Sequence, residues 1–84
     1  MGLPWNGWWR FVPPKGWEVG QALYVHSERG CVDRYGNVWQ KPKGAGTSPR
    51  HWDVQLGERW LTRLRLAGYD RAHLNVTSEG RKHH

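Results

Sequence analysis

Residues 51–56, HWDVQL, alternate strictly between polar and apolar side chains. Successive side chains of a β-strand point to opposite faces, so a strand here sorts its residues into two sets. The apolar set is Trp52, Val54 and Leu56, and the polar set is His51, Asp53 and Gln55. The stretch therefore predicts a half-buried strand with a polar outer face.

Residues 72–77, AHLNVT, repeat this alternation near the end of the chain. Ala72, Leu74 and Val76 form the apolar set, and His73, Asn75 and Thr77 form the polar set. If the two strands pair in one antiparallel sheet, their polar sets share a surface. We therefore expect His51, Asp53 and His73 on one accessible face.

The segment between these strands allows two interpretations. Residues 60–67 can form a further strand, which would add Arg63 and Arg65 to the same polar face. The spacing of Leu61 and Leu64 also fits a helix that begins near Gly57.

The remaining chain is rich in turn residues. Residues 21–26 predict a short strand, and residues 31–40 predict a hairpin around the Gly36-Asn37 turn. Residues 41–49 predict a flexible basic loop, and Ser78-Glu79-Gly80 a turn into a last short strand. The expected fold is mainly β, a small twisted antiparallel sheet of four or five strands with at most one short helix.

Residues 1–30 form a Trp-rich segment in which Pro13 and Pro14 preclude a long helix. We expect its indoles to pack over the sheet, because a domain this small must bury most of its aromatic surface. The alternative is a stacking platform for unpaired bases.

Composition limits the class of protein. The 84 residues suffice for a single domain, residues 1–84, and the lone cysteine, Cys31, excludes an internal disulfide. No apolar run reaches membrane-spanning length, and no secretory leader is expected. The net charge is +6 and nine of the thirteen basic residues are Arg. The whole excess of basic over acidic residues lies in residues 34–84, which favours a polyanionic partner. The alternative is a basic domain that has no such partner.

The polar face carries the residue types that RNA cleavage by internal transesterification needs. A base removes the proton of the ribose 2′-hydroxyl, an acid protonates the departing 5′-oxygen, and cations stabilise the phosphorane. Histidine suits either proton role near neutral pH, and a carboxylate can act as the base. The structural alternative is a surface pair of His51 and Asp53, with His73 capping a turn. A zinc site from the same three residues lacks the tight ligand spacing of known zinc motifs.

Three stretches carry a resemblance to a known family. They are residues 32–39 (VDRYGNVW), 51–56 (HWDVQL) and 73–81 (HLNVTSEGR). Together they resemble the C-terminal toxin domain called polymorphic toxin type seventeen and, more distantly, the ribonuclease domain of ribosome-cleaving colicins. The resemblance covers roughly residues 31–83.

The resemblance implies a toxin at the end of a longer secreted protein, delivered into a competing bacterium and neutralised by a cognate immunity protein. It matches Asp53 to the catalytic aspartate of the colicins and His73 to the histidine of their His-Leu strand. The colicins carry a further His and Glu where this chain has Leu56 and Trp60, so His51 and Glu58 take over those roles or the mechanism differs.

Together these features predict a metal-independent endoribonuclease without a cofactor, a monomer that acts on RNA, ribosomal RNA included, in the cytoplasm of the target cell. The predicted catalytic residues are Asp53 and His73, with His51 as the alternate. The predicted RNA-binding residues are Arg50, Arg63, Arg65, Arg71, Lys41, Lys43, Gln55 and Asn75. The expected protein partner is an acidic immunity protein. The alternatives are a non-catalytic RNA-binding module and a metal-dependent nuclease.

Overall fold

A computed structural model describes residues 3–21, 25–27, 30–42 and 50–82. It contains five strands and one helix in the described ranges. They are β1 Val25–Ser27, β2 Gly30–Val32, β3 Val38–Gln40, β4 His51–Gln55, α1 Glu58–Leu66 and β5 His73–Thr77. The strands form one antiparallel sheet in chain order, β1-β2-β3-β4-β5, which confirms the predicted fold class.

One face of the sheet is fully apolar. Cys31, Trp39, Val54 and Leu74 lie side by side across β2 to β5, and all four are buried. Trp52 and Val76 form the next row and are also buried. The alternation of β4 and β5 therefore predicted their inner face correctly.

Helix α1 covers this apolar face, so the strand interpretation of residues 60–67 is wrong. Trp60 and Leu64, four residues apart, are buried, and the Trp60 ring meets the Trp39 ring edge-on at 6.0 Å. The helix ends at Leu66, and a Schellman motif with Gly68 in the left-handed conformation follows it. The Gly68 amide donates to the Arg65 carbonyl, the Tyr69 amide donates to the Leu64 carbonyl, and Gly68 has φ +90°.

The N-terminal segment, residues 3–21, lies beside the helix without forming a helix or strand. Phe11 is buried edge-on against Trp39, and Trp9 is half-buried against Trp60. Trp8 is 81% exposed and Trp5 46% exposed. The expectation that the indoles of this segment are mostly buried is therefore wrong for these two residues.

A buried carboxylate organises the β2–β3 hairpin. Asp33 is 3% exposed and accepts hydrogen bonds from the backbone amides of Tyr35 and Asn37. It also accepts from the Asn37 side-chain amide at 2.8 Å and from the Trp39 indole at 2.9 Å. The hairpin predicted at residues 31–40 is thus present, with an internal polar anchor.

The same hairpin fixes the start of the helix. The Asn37 side-chain oxygen accepts a 2.7 Å hydrogen bond from the backbone amide of Gly57, the residue before α1. A Cβ atom at Gly57 would lie 2.5 Å from the Tyr35 carbonyl oxygen, so this approach requires glycine. The turn and the helix start are therefore in direct contact.

Replacing Asp33 should destabilise the whole domain. The two carboxylate oxygens of Asp33 accept four hydrogen bonds. In Asp33→Asn, one of these oxygens becomes an amide nitrogen, which cannot accept, and the other becomes a weaker acceptor. We expect a loss of about 3 kcal/mol in the free energy of unfolding, measured by urea denaturation. Asp70→Asn, at an exposed carboxylate, is the matched control and should change stability little. Equal midpoints for the two variants would contradict the role of Asp33.

Candidate active site on the open face of the sheet

The outward side chains of β4 and β5, together with Gln40 of β3, form a polar face, and Val38 of β3 lies on the same face opposite Gln55. The strand register places Asp53 between Gln40 and Asn75, and places Gln55 opposite His73. His51 lies opposite Thr77 at the end of the same two strands. We call this surface the open face, because helix α1 packs on the other side of the sheet.

A carboxylate and an imidazole meet on the open face. His51 Nε2 lies 3.7 Å from Asp53 Oδ1, with exposed side-chain fractions of 31% and 45%. Two residues at i and i+2 of a strand share a face, which explains the pairing. The Asp53 carboxylate is therefore accessible to a substrate while one of its oxygens faces an imidazole.

His73 lies on the same face but on the neighbouring strand. It is diagonal to Asp53 across the β4–β5 pair, a separation of about 7–8 Å between backbone positions. The side chain is exposed, and its backbone carbonyl accepts a hydrogen bond from the Tyr69 hydroxyl. Asp53 and His73 are thus both accessible on a face that they share.

A groove of about 590 Å³ runs along β5 beside His73. Its polar lining comes from Tyr69, Arg71, His73, Asn75 and Lys82. The Lys82 ammonium lies 4.5 Å from the centre of the Tyr69 ring, and Lys82 is held against Val76 by an isolated antiparallel bridge. Two cations, Arg71 and Lys82, thus line the same groove as one imidazole.

The structure brings together only some of the predicted site residues. His51, Asp53, Gln55, His73 and Asn75 share the open face, with Arg71 in the adjoining groove. Exposed Arg50 directly precedes β4, and half-buried Lys41 directly follows β3. Lys43 lies outside the described residues.

The predicted position of Arg63 and Arg65 on this face is wrong. Both belong to the last turn of α1, where basic side chains interact favourably with the helix dipole. The open face instead contains Gln40, which sequence reasoning missed, and the groove adds Tyr69 and Lys82. The alternation of Val38 and Gln40 around buried Trp39 was the available signal for Gln40.

The described residues also bear on two other chemistries, metal binding and attack by a thiol. Among residues of the described ranges, no three His, Cys, Asp or Glu side chains are grouped closely enough to hold a metal ion. Cys31 is buried on the apolar face, and this burial raises the pKa of its thiol, an effect that Lys41 partly offsets. A protonated, buried thiol is a poor nucleophile.

Comparison with known proteins identifies the family. A family model described as Novel toxin 17 matches residues 1–84. The chain belongs to the Novel toxin 17 family. The match also includes the Trp-rich segment, which lies outside the resemblance at residues 31–83. No curated protein and no solved structure matches the chain, and the similarity to colicin ribonucleases is therefore not shown.

Membership of Novel toxin 17 makes the protein a polymorphic toxin domain, a class that is delivered into target cells and has a cognate immunity partner. No helix in the described part of the chain is long and apolar enough to cross a membrane.

The register that places His73 near Asp53 can be tested by cross-linking. Gln55 and His73 are a non-hydrogen-bonded pair, because the Leu56 amide donates to the Ala72 carbonyl one position along. Such pairs have Cα atoms about 4.5 Å apart, within disulfide range. We expect the double variant Gln55→Cys/His73→Cys to form a disulfide on mild oxidation, detected by mass spectrometry.

The matched control is Gln55→Cys/Asn75→Cys, whose positions are diagonal, about 7–8 Å apart, and outside normal disulfide range. If the control pair oxidises faster, the strand register and the position of His73 relative to Asp53 are wrong.

Proposed function

We propose that this toxin domain is a metal-independent endoribonuclease that cleaves RNA through attack by the ribose 2′-hydroxyl. The observation that supports the proposal is the open face itself. An accessible carboxylate and two imidazoles share it, and a groove with two cations adjoins it. An ordinary solvated sheet face has no need for this combination.

In the proposed reaction Asp53 is the base and His73 is the acid. Asp53 takes the proton of the 2′-hydroxyl, whose oxygen attacks the adjacent phosphorus. The bond from phosphorus to the 5′-oxygen breaks, and His73 donates a proton to that oxygen. The products are a 2′,3′-cyclic phosphate and a 5′-hydroxyl end. The diagonal placement of Asp53 and His73 leaves room for the phosphate between them.

The neighbouring side chains have supporting roles. His51, 3.7 Å from Asp53, orients the carboxylate and is the alternate proton carrier. Arg71 and Lys82 neutralise the charge that develops on the phosphorane, a contribution that fixed cations make efficiently. Gln40, Gln55 and Asn75 offer amide groups to the bases or the ribose.

The backbone of the RNA would extend beyond the reacting phosphate. Arg50 and Lys41 lie next to the strand ends that border the open face, and we assign them to phosphate contacts. Lys43, outside the described residues, is assigned with them from the sequence. An acidic immunity protein that covers these cations and the open face would block the substrate, and we propose this as the mode of inhibition.

Removing either proton-transfer group should abolish most of the activity. We expect Asp53→Asn and His73→Ala each to lower the rate of RNA cleavage roughly 10²-fold or more, with an unchanged unfolding midpoint. Glu79→Gln, an exposed acidic residue outside the face and groove, is the control and should retain wild-type activity. Wild-type rates for both site variants would reject the assignment.

The assay also separates the alternative functions. A non-catalytic RNA-binding module leaves bulk RNA and ribosomes intact, while a metal-dependent nuclease loses activity in excess chelator. The proposed enzyme cleaves in chelator and leaves cyclic phosphate ends, which end mapping of the fragments detects. RNA substituted with 2′-O-methyl groups should resist it, because the attacking hydroxyl is absent.

A further inference from the structure

A second cationic cleft lies away from the open face. It forms where the N-terminal segment meets helix α1, on the side of the sheet that the helix covers. Its volume is about 280 Å³. The residues that line it are Gly7, Trp8, Arg10, Val12, Tyr35, Arg59, Trp60 and Arg63. We call it the arginine cleft.

Three arginines line the arginine cleft, and none has an acidic partner among the described residues. Arg59 lies 4.5 Å from the centre of the Tyr35 ring, and Arg63 lies 5.9 Å from that of Trp9. Within the described ranges, no carboxylate comes within 4.0 Å of Arg10, Arg59 or Arg63. Stacking on an aromatic ring orients a guanidinium while its N–H donors stay free, so the cleft offers preoriented donors to an anion.

An exposed indole borders these cations. Trp8 is 81% exposed, whereas its neighbour Trp9 packs on Trp60. Gly7, with φ +101°, approaches the backbone of Gly80 so closely that a Cβ atom would lie 2.9 Å from the Gly80 Cα. The turn that contains Gly7 and Trp8 thus packs closely against the turn at Gly80, and the Trp8 indole lies outside the core.

We propose that the arginine cleft is a second RNA-binding site, in which the guanidinium groups bind phosphodiesters and Trp8 stacks on an unpaired base. Cations combined with an exposed aromatic ring are the features that bind single strands without sequence preference. The inference rests on the proposed function only in taking RNA as the polyanion.

The size of the cleft favours a nucleic acid over an acidic protein. A stable protein partner covers about 800 Å² on each side. The arginine cleft is a small pocket with one projecting indole, which fits a phosphate and its base. Because the cleft and the open face lie on opposite sides of the sheet, only a strand that passes around the domain occupies both. The cleft therefore retains long RNA and does not contact the scissile phosphate.

Binding of uncleavable RNA tests the inference. The probe is a fluorescein-labelled, 2′-O-methyl oligonucleotide of about 12 residues, a length typical of single-strand sites, and the readout is fluorescence anisotropy. We expect Arg59→Gln and Arg63→Gln each to raise Kd several-fold and to lower the slope of log K against log salt by about 1. Trp8→Ala should raise Kd about tenfold at any salt concentration.

Arg65→Gln is the matched control, since Arg65 is exposed on the same helix, has the same charge and lies outside the cleft. Its predicted RNA-binding role assumed a position on the open face, and we do not retain that role for a residue of α1. Arg10→Gln provides a further cleft variant at an exposed side chain, should loss of the ring contacts unfold the others. An equal effect of Arg65→Gln and the cleft variants, or no effect of Trp8→Ala, overturns the inference. Weakened binding of an acidic immunity protein with unchanged RNA binding also overturns it.

Cleavage assays distinguish this inference from the proposed function. Cleft variants should cleave a dinucleotide at the wild-type rate and show a raised KM only on long RNA. If wild-type protein cleaves RNA but cleft variants bind and cleave normally, the inference fails and the proposed function stands. If the protein cleaves nothing but binding depends on the cleft, the proposed function fails and the inference stands.

Discussion

The remaining structure depends on the hydrogen bonds that the buried carboxylate of Asp33 accepts. This carboxylate accepts four hydrogen bonds within the β2–β3 hairpin, and through Asn37 the hairpin binds the amide of Gly57 at the start of α1. In an 84-residue chain with one cysteine, no disulfide can supply this constraint. A charge-assisted network does so instead, at a cost in desolvation that complete hydrogen bonding offsets.

This anchor determines which face of the sheet is available for chemistry. With Gly57 held against the hairpin turn, α1 turns back over Trp39, and the N-terminal segment packs beside it. Both therefore cover the same face. On the other face of β3 to β5, Gln55, His73 and Asn75 are exposed and Asp53 is half-buried. These polar side chains are therefore not needed for packing and can serve a substrate.

The alternation of the strands made part of this arrangement predictable. In strands β4 and β5, successive side chains point to opposite faces of the sheet. Once the apolar side chains of residues 51–56 and 73–77 are buried, His51, Asp53 and His73 must therefore point outward. Helix α1 was harder to predict, because Trp60, Leu64 and the alternate Arg63 and Arg65 fit both periods over so short a run. Gly68 and Glu58 were the usable signals for its two ends. The exposure of Trp8 could not be predicted from the local sequence, because large hydrophobic side chains are expected to be buried. Only tertiary contacts decide which indole remains exposed.

Burial also limits which residues can assist Asp53. Leu56 and Trp60, three and seven residues after Asp53, are both buried. Trp60 packs on Trp39, on the side of the sheet opposite Asp53, so a carboxylate at position 60 would be desolvated and away from the open face. Partners for Asp53 must therefore come from its own strand at alternate positions or from the adjacent strands. His51 and His73 meet this geometric condition. The first turn of α1, which contains Glu58, follows the end of β4 on the path to the covered side of the sheet. Among the candidates, the geometry thus favours a site built from strands β4 and β5 and the groove beside them.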